Sequence, residues 1–323
     1  MRMGWGNALK RAVYGFMLAS VAVLVANPVA YAACDQRPLV VFEDQGTIGR
    51  YNPFATPVAK DVRIVITNQS NSPCSFSLSF IRNSGLPFAM LNTTLRALTY
   101  KAASDGRPIM SANDTPTSGQ RDDLAVFAPH EVRIQIATLT PDATQFVPSG
   151  GYTDALRVLV FDITDGVFTT VFELGLDVSA TVIGACQITP PDNPTVNLTS
   201  AIRDGNTDPA IVFPVVIPKV ECTSPAIVTL SGGAMQLAPP VDTGGAFDTY
   251  INWVATATFG NARATFQTDG LNPMVPVRSD RTNTDSGSSS GEIGIDVNMQ
   301  SNAHPLLAGR YNGTLTIQID PVP

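Results

Sequence analysis

The chain has 323 residues, with 20 lysines and arginines against 27 aspartates and glutamates, a formal net charge of −7 and 44% hydrophobic residues. That length leaves room for two ordinary domains, and the acidic balance offers no electrostatic basis for binding nucleic acid. Two histidines and four cysteines are a thin supply for a histidine-based triad or a multi-histidine metal site.

Residues 1–32 read as an export signal. Arg2, Lys10 and Arg11 precede an apolar run from Ala12 to Ala26, Asn27-Pro28 breaks it, and Ala30-Tyr31-Ala32 is a small-x-small cleavage site. The run falls short of the roughly 20 apolar residues of a membrane span, so no membrane insertion is expected after cleavage. Cleavage leaves 323 − 32 = 291 residues, begins the mature chain at Ala33 or Cys34, and moves the net charge to −7 − 3 = −10. Lys60, Lys101 and Lys219 are the remaining lysines, and no basic cluster suggests docking on anionic lipid.

All four cysteines lie beyond the cleavage site. An even count in an exported chain predicts a disulfide framework. Spacings of 40 and 36 residues, with Cys74 and Cys186 far apart, favour Cys34–Cys74 and Cys186–Cys222, one bridge per domain. Metal binding is the competing reading, but no two cysteines are separated by two residues and no histidine is near them.

Period-two alternation dominates the mature chain. Val62, Ile64 and Ile66 alternate with Arg63, Val65 and Thr67, and Cys74, Phe76, Leu78 and Phe80 alternate with Ser75, Ser77 and Ser79. Ala112–Gln120 reads as a polar, mobile loop, and Asp122-Asp123 as a solvated turn rather than a general acid–base pair. After Pro129-His130, alternation resumes at Val132, Ile134 and Ile136. A repeat then marks the domain count: Gly150-Gly151-Tyr152 through Val160 aligns with Gly309-Arg310-Tyr311 through Ile319, each a glycine turn, a tyrosine and apolar residues at period two. Such runs between Gly, Pro, Asn and Asp clusters predict an all-β fold of two tandem immunoglobulin-like sandwiches, residues 33–183 and 184–323.

The two copies differ in their downstream segments. After the first, Phe172, Leu174, Leu176, Val178, Ala180 and Val182 alternate with polar residues and glycine, predicting one more strand. After the second the sequence stops at Pro323, so the second sandwich is expected to lack its last strand. A sandwich missing that strand has an apolar groove and an unpaired edge, both unfavourable in water. Filling it with five or six apolar side chains would contribute on the order of 8–15 kcal/mol before entropy costs. Leu315, Ile317 and Ile319 are expected to line the groove, with Val196 and Leu198 contributing from an early strand.

In the second half, Trp253, Ala255, Ala257 and Phe259 share one face, and Ser279–Gly291 reads as a polar loop. Within it, Gly287-Ser288-Ser289-Ser290-Gly291 matches the spacing of a nucleophile elbow but lacks the preceding apolar strand and following helix. His130 and His304 each sit beside a proline and read as turn residues. No catalytic residues, metal or cofactor are expected.

Cys186-Gln187-Ile188, Ile251-Asn252-Trp253, Gly291-Glu292-Ile293-Gly294-Ile295 and Leu307-Ala308-Gly309-Arg310-Tyr311-Asn312-Gly313-Thr314-Leu315-Thr316-Ile317 through Pro321 together resemble the spore coat protein U family, echoed in the first half by Leu98-Thr99-Tyr100-Lys101 and Asp105-Gly106. That family includes subunits of archaic chaperone–usher pili. In it, stalk subunits carry a strand-donating extension before the first cysteine, whereas two-domain tip subunits do not. Here cleavage leaves at most Ala33 before Cys34. The resemblance therefore implies a tip adhesin at the cell surface, reached through the periplasm. Phe172–Val182 would be its in-chain donor strand. The implied partners are a periplasmic chaperone, an outer-membrane usher, an adjacent pilin donating a strand, and a host or abiotic surface. Leu86, Pro87, Phe88 and Met90 would be its candidate surface-contact loop, with a core strand as the competing reading. A spore-coat or cell-surface layer protein without adhesive role is the alternative.

Overall fold

Strand follows from the alternating pattern almost everywhere it occurs. The computed structural model describes residues 34–82, 88–190, 195–272, 274–282 and 287–322, and within these the chain is all β apart from two single-turn 3-10 segments. The export signal lies outside the described residues. Buried apolar side chains fall into two large cores that share no residue, one drawn from Val40–Val182 and one from Ala201–Ile319.

The first sandwich contains β1 (Leu39–Phe42), β2 (Gly46–Tyr51), β3 (Lys60–Thr67), β4 (Phe76–Ile81), β5 (Ala89–Leu91), β6 (Ala97–Ser104), β7 (Val132–Pro141), β8 (Gly150–Thr164) and β9 (Val167–Val182). They are hydrogen-bonded in the order β1-β3-β7-β6-β5-β8-β9-β2, with β4 also on β8. β8 and β9 form a long hairpin, closed at Asp165 and Gly166, both at positive φ as a tight two-residue turn requires. On its other side β9 pairs with β2 in parallel. Gly46 permits that approach, since a Cβ there would lie 2.7 Å from the Asp177 carbonyl oxygen. Phe76, Leu78 and Phe80 of β4 meet Val62, Ile64 and Ile66 of β3 in the core, all fully buried.

Two expectations change here. Ser77 and Ser79, on the face of β4 expected to meet solvent, are buried. Met110–Ser111 and Asp122–Asp123 pair along β4, and Ser79 Oγ donates to the Gln120 carbonyl. The segment expected to be a mobile loop is thus a cover. Beneath the same face Ile81, Leu159 and Phe161 form a small separate core, with the Arg121 guanidinium stacked on Phe168. Conversely, Val132, Ile134 and Ile136 of β7 face solvent.

The second sandwich contains β10 (Cys186–Thr189), β11 (Phe213–Cys222), β12 (Ala226–Gly232), β13 (Met235–Ala238), β14 (Trp253–Phe259), β15 (Ala262–Gln267), β16 (Ser289–Met299), β17 (Arg310–Asn312) and β18 (Leu315–Pro321). One sheet runs β10-β11-β16-β14-β15; facing it, β18 pairs with β12 and β17 with β13. Trp253, Ala255, Ala257 and Phe259 do share the buried face of β14. Only Ile183–Ala185 separate β9 from β10, and Thr223 ties them down, its Oγ1 donating to the Ile183 carbonyl and accepting from the Ala185 amide.

Candidate functional site: the open edge of the second sandwich

A tyrosine at the start of the same strand identifies equivalent positions in the two sandwiches. The Tyr152 hydroxyl donates to the Pro148 carbonyl at 2.8 Å, and the Tyr311 hydroxyl to the Leu307 carbonyl at 2.9 Å, each four residues upstream. This is the tyrosine-corner arrangement that begins the penultimate strand of immunoglobulin-like sandwiches. β8 therefore corresponds to β17–β18, as the sequence repeat predicts.

Their surroundings differ. β8 has β4 and β5 on one side and β9 on the other. β17 and β18 have β13 and β12 on one side, and among the described residues no strand pairs with their other edge. Beside Arg310–Leu315 and Ile317 runs a cleft of about 1060 Å³ that Thr195–Thr199 also line. Its floor is apolar, formed by Ile217, Met235, Ile251, Trp253 and Ile295 among others. The indole of Trp253 is fixed there by a 2.8 Å bond from Nε1 to the Gly233 carbonyl. Gly232 makes room for it, because a Cβ at that position would stand 3.0 Å from the ring.

Burial records the difference residue by residue. Tyr152, Leu156 and Val158 are buried, with 0%, 2% and 0% exposure, whereas their counterparts Tyr311, Leu315 and Ile317 are only partly buried. Burial lifts the Tyr152 hydroxyl to a pKa of about 12, and also raises that of Tyr311.

Of the residues expected to line a groove, Val196, Leu198, Leu315 and Ile317 lie on the cleft wall. Ile319 does not; it is buried in the core beyond the cleft. Sequence reasoning did not assign Trp253, Met235, Ile251 or Ile295 to the cleft, although alternation had grouped Trp253 with Ala255, Ala257 and Phe259 on one face. Of the expected in-chain strand, Leu176, Val178, Ala180 and Val182 are buried in the first core, while Phe172 and Leu174 are partly buried. Both disulfides, Cys34–Cys74 and Cys186–Cys222, are present, the second joining direct register partners of β10 and β11.

The candidate surface-contact loop requires a correction. Leu86 and Pro87 lie outside the described residues, but Phe88 and Met90 have 0% exposure. β5 is a core strand between β6 and β8, and the Phe88 ring meets Tyr100 edge-on at 5.9 Å. Ser289, centre of the nucleophile-elbow spacing, lies on β16 with its hydroxyl bonded to that of Thr282. His130 is paired with Asn71 and His304 with Asp248. Among the described residues no three His, Cys, Asp or Glu side chains are grouped to hold a metal ion.

Among solved structures, the chain is similar to the chaperone–tip adhesion subunit pre-assembly complex of archaic chaperone–usher Csu pili from Acinetobacter baumannii. The identity is 14% over 87% of this chain and 100% of that one, at a TM-score of 0.41. It is also similar to the CupB6 tip adhesin of Pseudomonas aeruginosa, at 10% identity over 89% and 94% of the two chains and a TM-score of 0.35. A chaperone–tip adhesin complex of CFA/I fimbriae biogenesis gives 11% identity over 87% and 97%, at 0.34. No family model matches the sequence, and no curated protein matches it. At these scores the likenesses leave the functional argument to the cleft, and the spore coat protein U resemblance stays a reading of sequence motifs.

Proposed function

We propose that this chain is the tip subunit of a chaperone–usher surface pilus, joined to its fibre by a β-strand that another chain lays into the cleft of the second sandwich. The observation that carries this reading is the apolar cleft beside β17–β18, at the place where β9 lies against β8. Strand addition satisfies both needs of such a site: the unpaired edge receives main-chain hydrogen bonds, and the floor receives alternate side chains. By analogy with β9, which serves as the in-chain donor of the first sandwich, the incoming strand runs antiparallel to β18. It presents apolar residues at every second position. A small residue belongs opposite Tyr311, because Ala180 is the register partner of Tyr152. Among the described residues the long alternating strand β9 is used within the chain, which supports a subunit that accepts a strand and ends a polymer. Export through the periplasm, a chaperone that shields the cleft, an usher, and attachment to a host or abiotic surface complete the reading.

The test is thermal unfolding of the mature chain with a synthetic peptide of residues 170–183, a surrogate for the donor. A peptide at 100 times its dissociation constant is expected to add about 2.7 kcal/mol to the second sandwich. The same peptide with aspartate at two inward positions should add nothing. Equal melting curves for both peptides would remove the strand-accepting reading.

A further inference from the structure

Three polar side chains from separate parts of the first sandwich meet at one end of it. Thr99 belongs to β6, whereas Asp142 and Gln145 lie in the connection from β7 to β8. The Thr99 Oγ1 stands 2.7 Å from Asp142 Oδ2 and 2.7 Å from Gln145 Oε1. The orientation of the Gln145 amide is fixed by its other partners. Its Oε1 accepts from the Thr99 backbone N–H at 2.6 Å, and its Nε2 donates to the carbonyls of Thr99 and Asp142 at 2.8 and 2.9 Å. Turning the amide over would set donor against donor and acceptor against acceptor.

A hydroxyl has one proton, and here two oxygens stand close enough to take it. The Asp142 carboxylate is the stronger acceptor, which leaves a lone pair of Thr99 Oγ1 facing the amide carbonyl. The amide carbon lies one bond of about 1.23 Å behind Oε1, so it is within about 3.9 Å of Oγ1. The connection is also held in an unfavourable shape. Thr144 has a φ of 56°, in the left-handed region where a β-branched residue is an outlier. Such strain persists where the surroundings over-determine it, and it gathers at functional sites. Tyr51 supplies that hold, its hydroxyl donating to the Asp142 carbonyl at 3.2 Å and accepting from the Gln145 backbone N–H at 3.1 Å.

We propose that Thr99 and Gln145 react with each other to form an ester between their side chains. Each group the step requires is in place. Asp142 removes the Oγ1 proton as general base, and Lys101 lies 3.1 Å from its other carboxylate oxygen. Oγ1 forms a bond to Gln145 Cδ, and the charge that develops on Oε1 is met by the Thr99 backbone N–H. The Cδ–Nε2 bond then breaks, the proton held by Asp142 passes to Nε2, and one ammonia leaves. Hydroxyl and amide are exchanged for ester and ammonia, with no oxidant or reductant. Fixed positioning replaces a bimolecular encounter, and escape of ammonia into solvent draws the exchange forward. The product is a covalent tie between residues 46 positions apart. It sits where the Tyr51 carbonyl accepts from the amide of Ile183, in the link to the second sandwich. A pull on that link would meet strands fastened by a bond rather than by hydrogen bonds alone.

Mass spectrometry of the mature chain, held folded in mildly alkaline buffer, tests the proposal. The intact mass should fall by one ammonia per chain. Trypsin, cutting after Arg96, Lys101, Arg133 and Arg157, should then yield residues 97–101 joined to residues 134–157. Neither peptide contains a cysteine, so reduction should leave the pair joined, while alkaline hydroxylamine, which cleaves esters, should part it. Thr99→Ser keeps a hydroxyl and should still link. Thr99→Val removes the nucleophile and Gln145→Glu removes the leaving ammonia, so both should keep their full mass. Asp142→Asn should slow linking roughly a hundredfold or more. A folded wild-type chain that releases the two peptides separately would overturn the proposal, even if ammonia were lost elsewhere. So would linking that Asp142→Asn leaves at wild-type speed. The bond needs nothing from the cleft, so its absence leaves the strand-accepting reading intact.

Discussion

The two sandwiches begin their penultimate strands with the same tyrosine corner and diverge at the next strand. In the first, β9 covers β8, and Tyr152, Leu156 and Val158 are sealed from water. In the second, the matching Tyr311, Leu315 and Ile317 border an apolar cleft. The same local pattern gives a finished core in one place and a receptive one in the other. Where a strand covers that edge the core is sealed, and where none of the described residues pairs with it an apolar cleft stays open.

The sharpest way to break the comparison is a charge at equivalent depth. Leu176→Asp should destabilise the first sandwich by about 3–5 kcal/mol, because an unpaired carboxylate would be buried in its core. Ile317→Asp should cost the unliganded chain far less, since that side chain already borders open space, yet abolish stabilisation by an added strand. Urea denaturation with and without peptide measures both. Equal losses would mean that the two positions are equally enclosed.

Disulfide removal comes next and should not discriminate. Cys74→Ser with Cys34→Ser, or Cys222→Ser with Cys186→Ser, each opens a loop of similar length, with separations of 40 and 36 residues. Each should cost roughly 3–4 kcal/mol in calorimetry. A much smaller loss in the second sandwich would indicate that residual unfolded-state structure dominates there.

The smallest expected effect lies in the corner itself. Tyr152→Phe removes a bond in a sealed site and leaves the Pro148 carbonyl unserved, so about 1–2 kcal/mol should be lost. Tyr311→Phe should lose less, because water in the open cleft can serve the Leu307 carbonyl. Alkaline unfolding adds a second readout. With its folded pKa raised above the usual value near 10 to about 12, Tyr152 contributes stability that is complete below pH 10 and lost as pH rises toward 12. The Tyr152→Phe variant should lack that slope.

Much of this was legible from the sequence. Period-two alternation predicted the strands, the glycine–tyrosine repeat predicted equivalent positions, and the cysteine spacing predicted both bridges. Packing of distant segments was not legible. Nothing in the serines of β4 reveals that residues 110–123 fold over them, and the Phe88–Met90 stretch looks the same whether it forms a loop or a core strand. Alternation also does not say which face points inward. On β7 the decision rests on Arg133 and Gln135 finding partners at Phe127, Ser104 and Asp122, which are remote in sequence. The cleft floor was missed for a similar reason, since Trp253 and Met235 meet only when two sheets pack.

Hydrogen exchange on the intact mature chain tests the open edge most directly. Without any added strand, the amides of Leu315–Asp320 that do not bond to β12 should exchange orders of magnitude faster than their counterparts in β8, and an alternating apolar peptide should bring them to comparable protection. Equal protection of β18 and β8 in the unliganded chain would contradict the account.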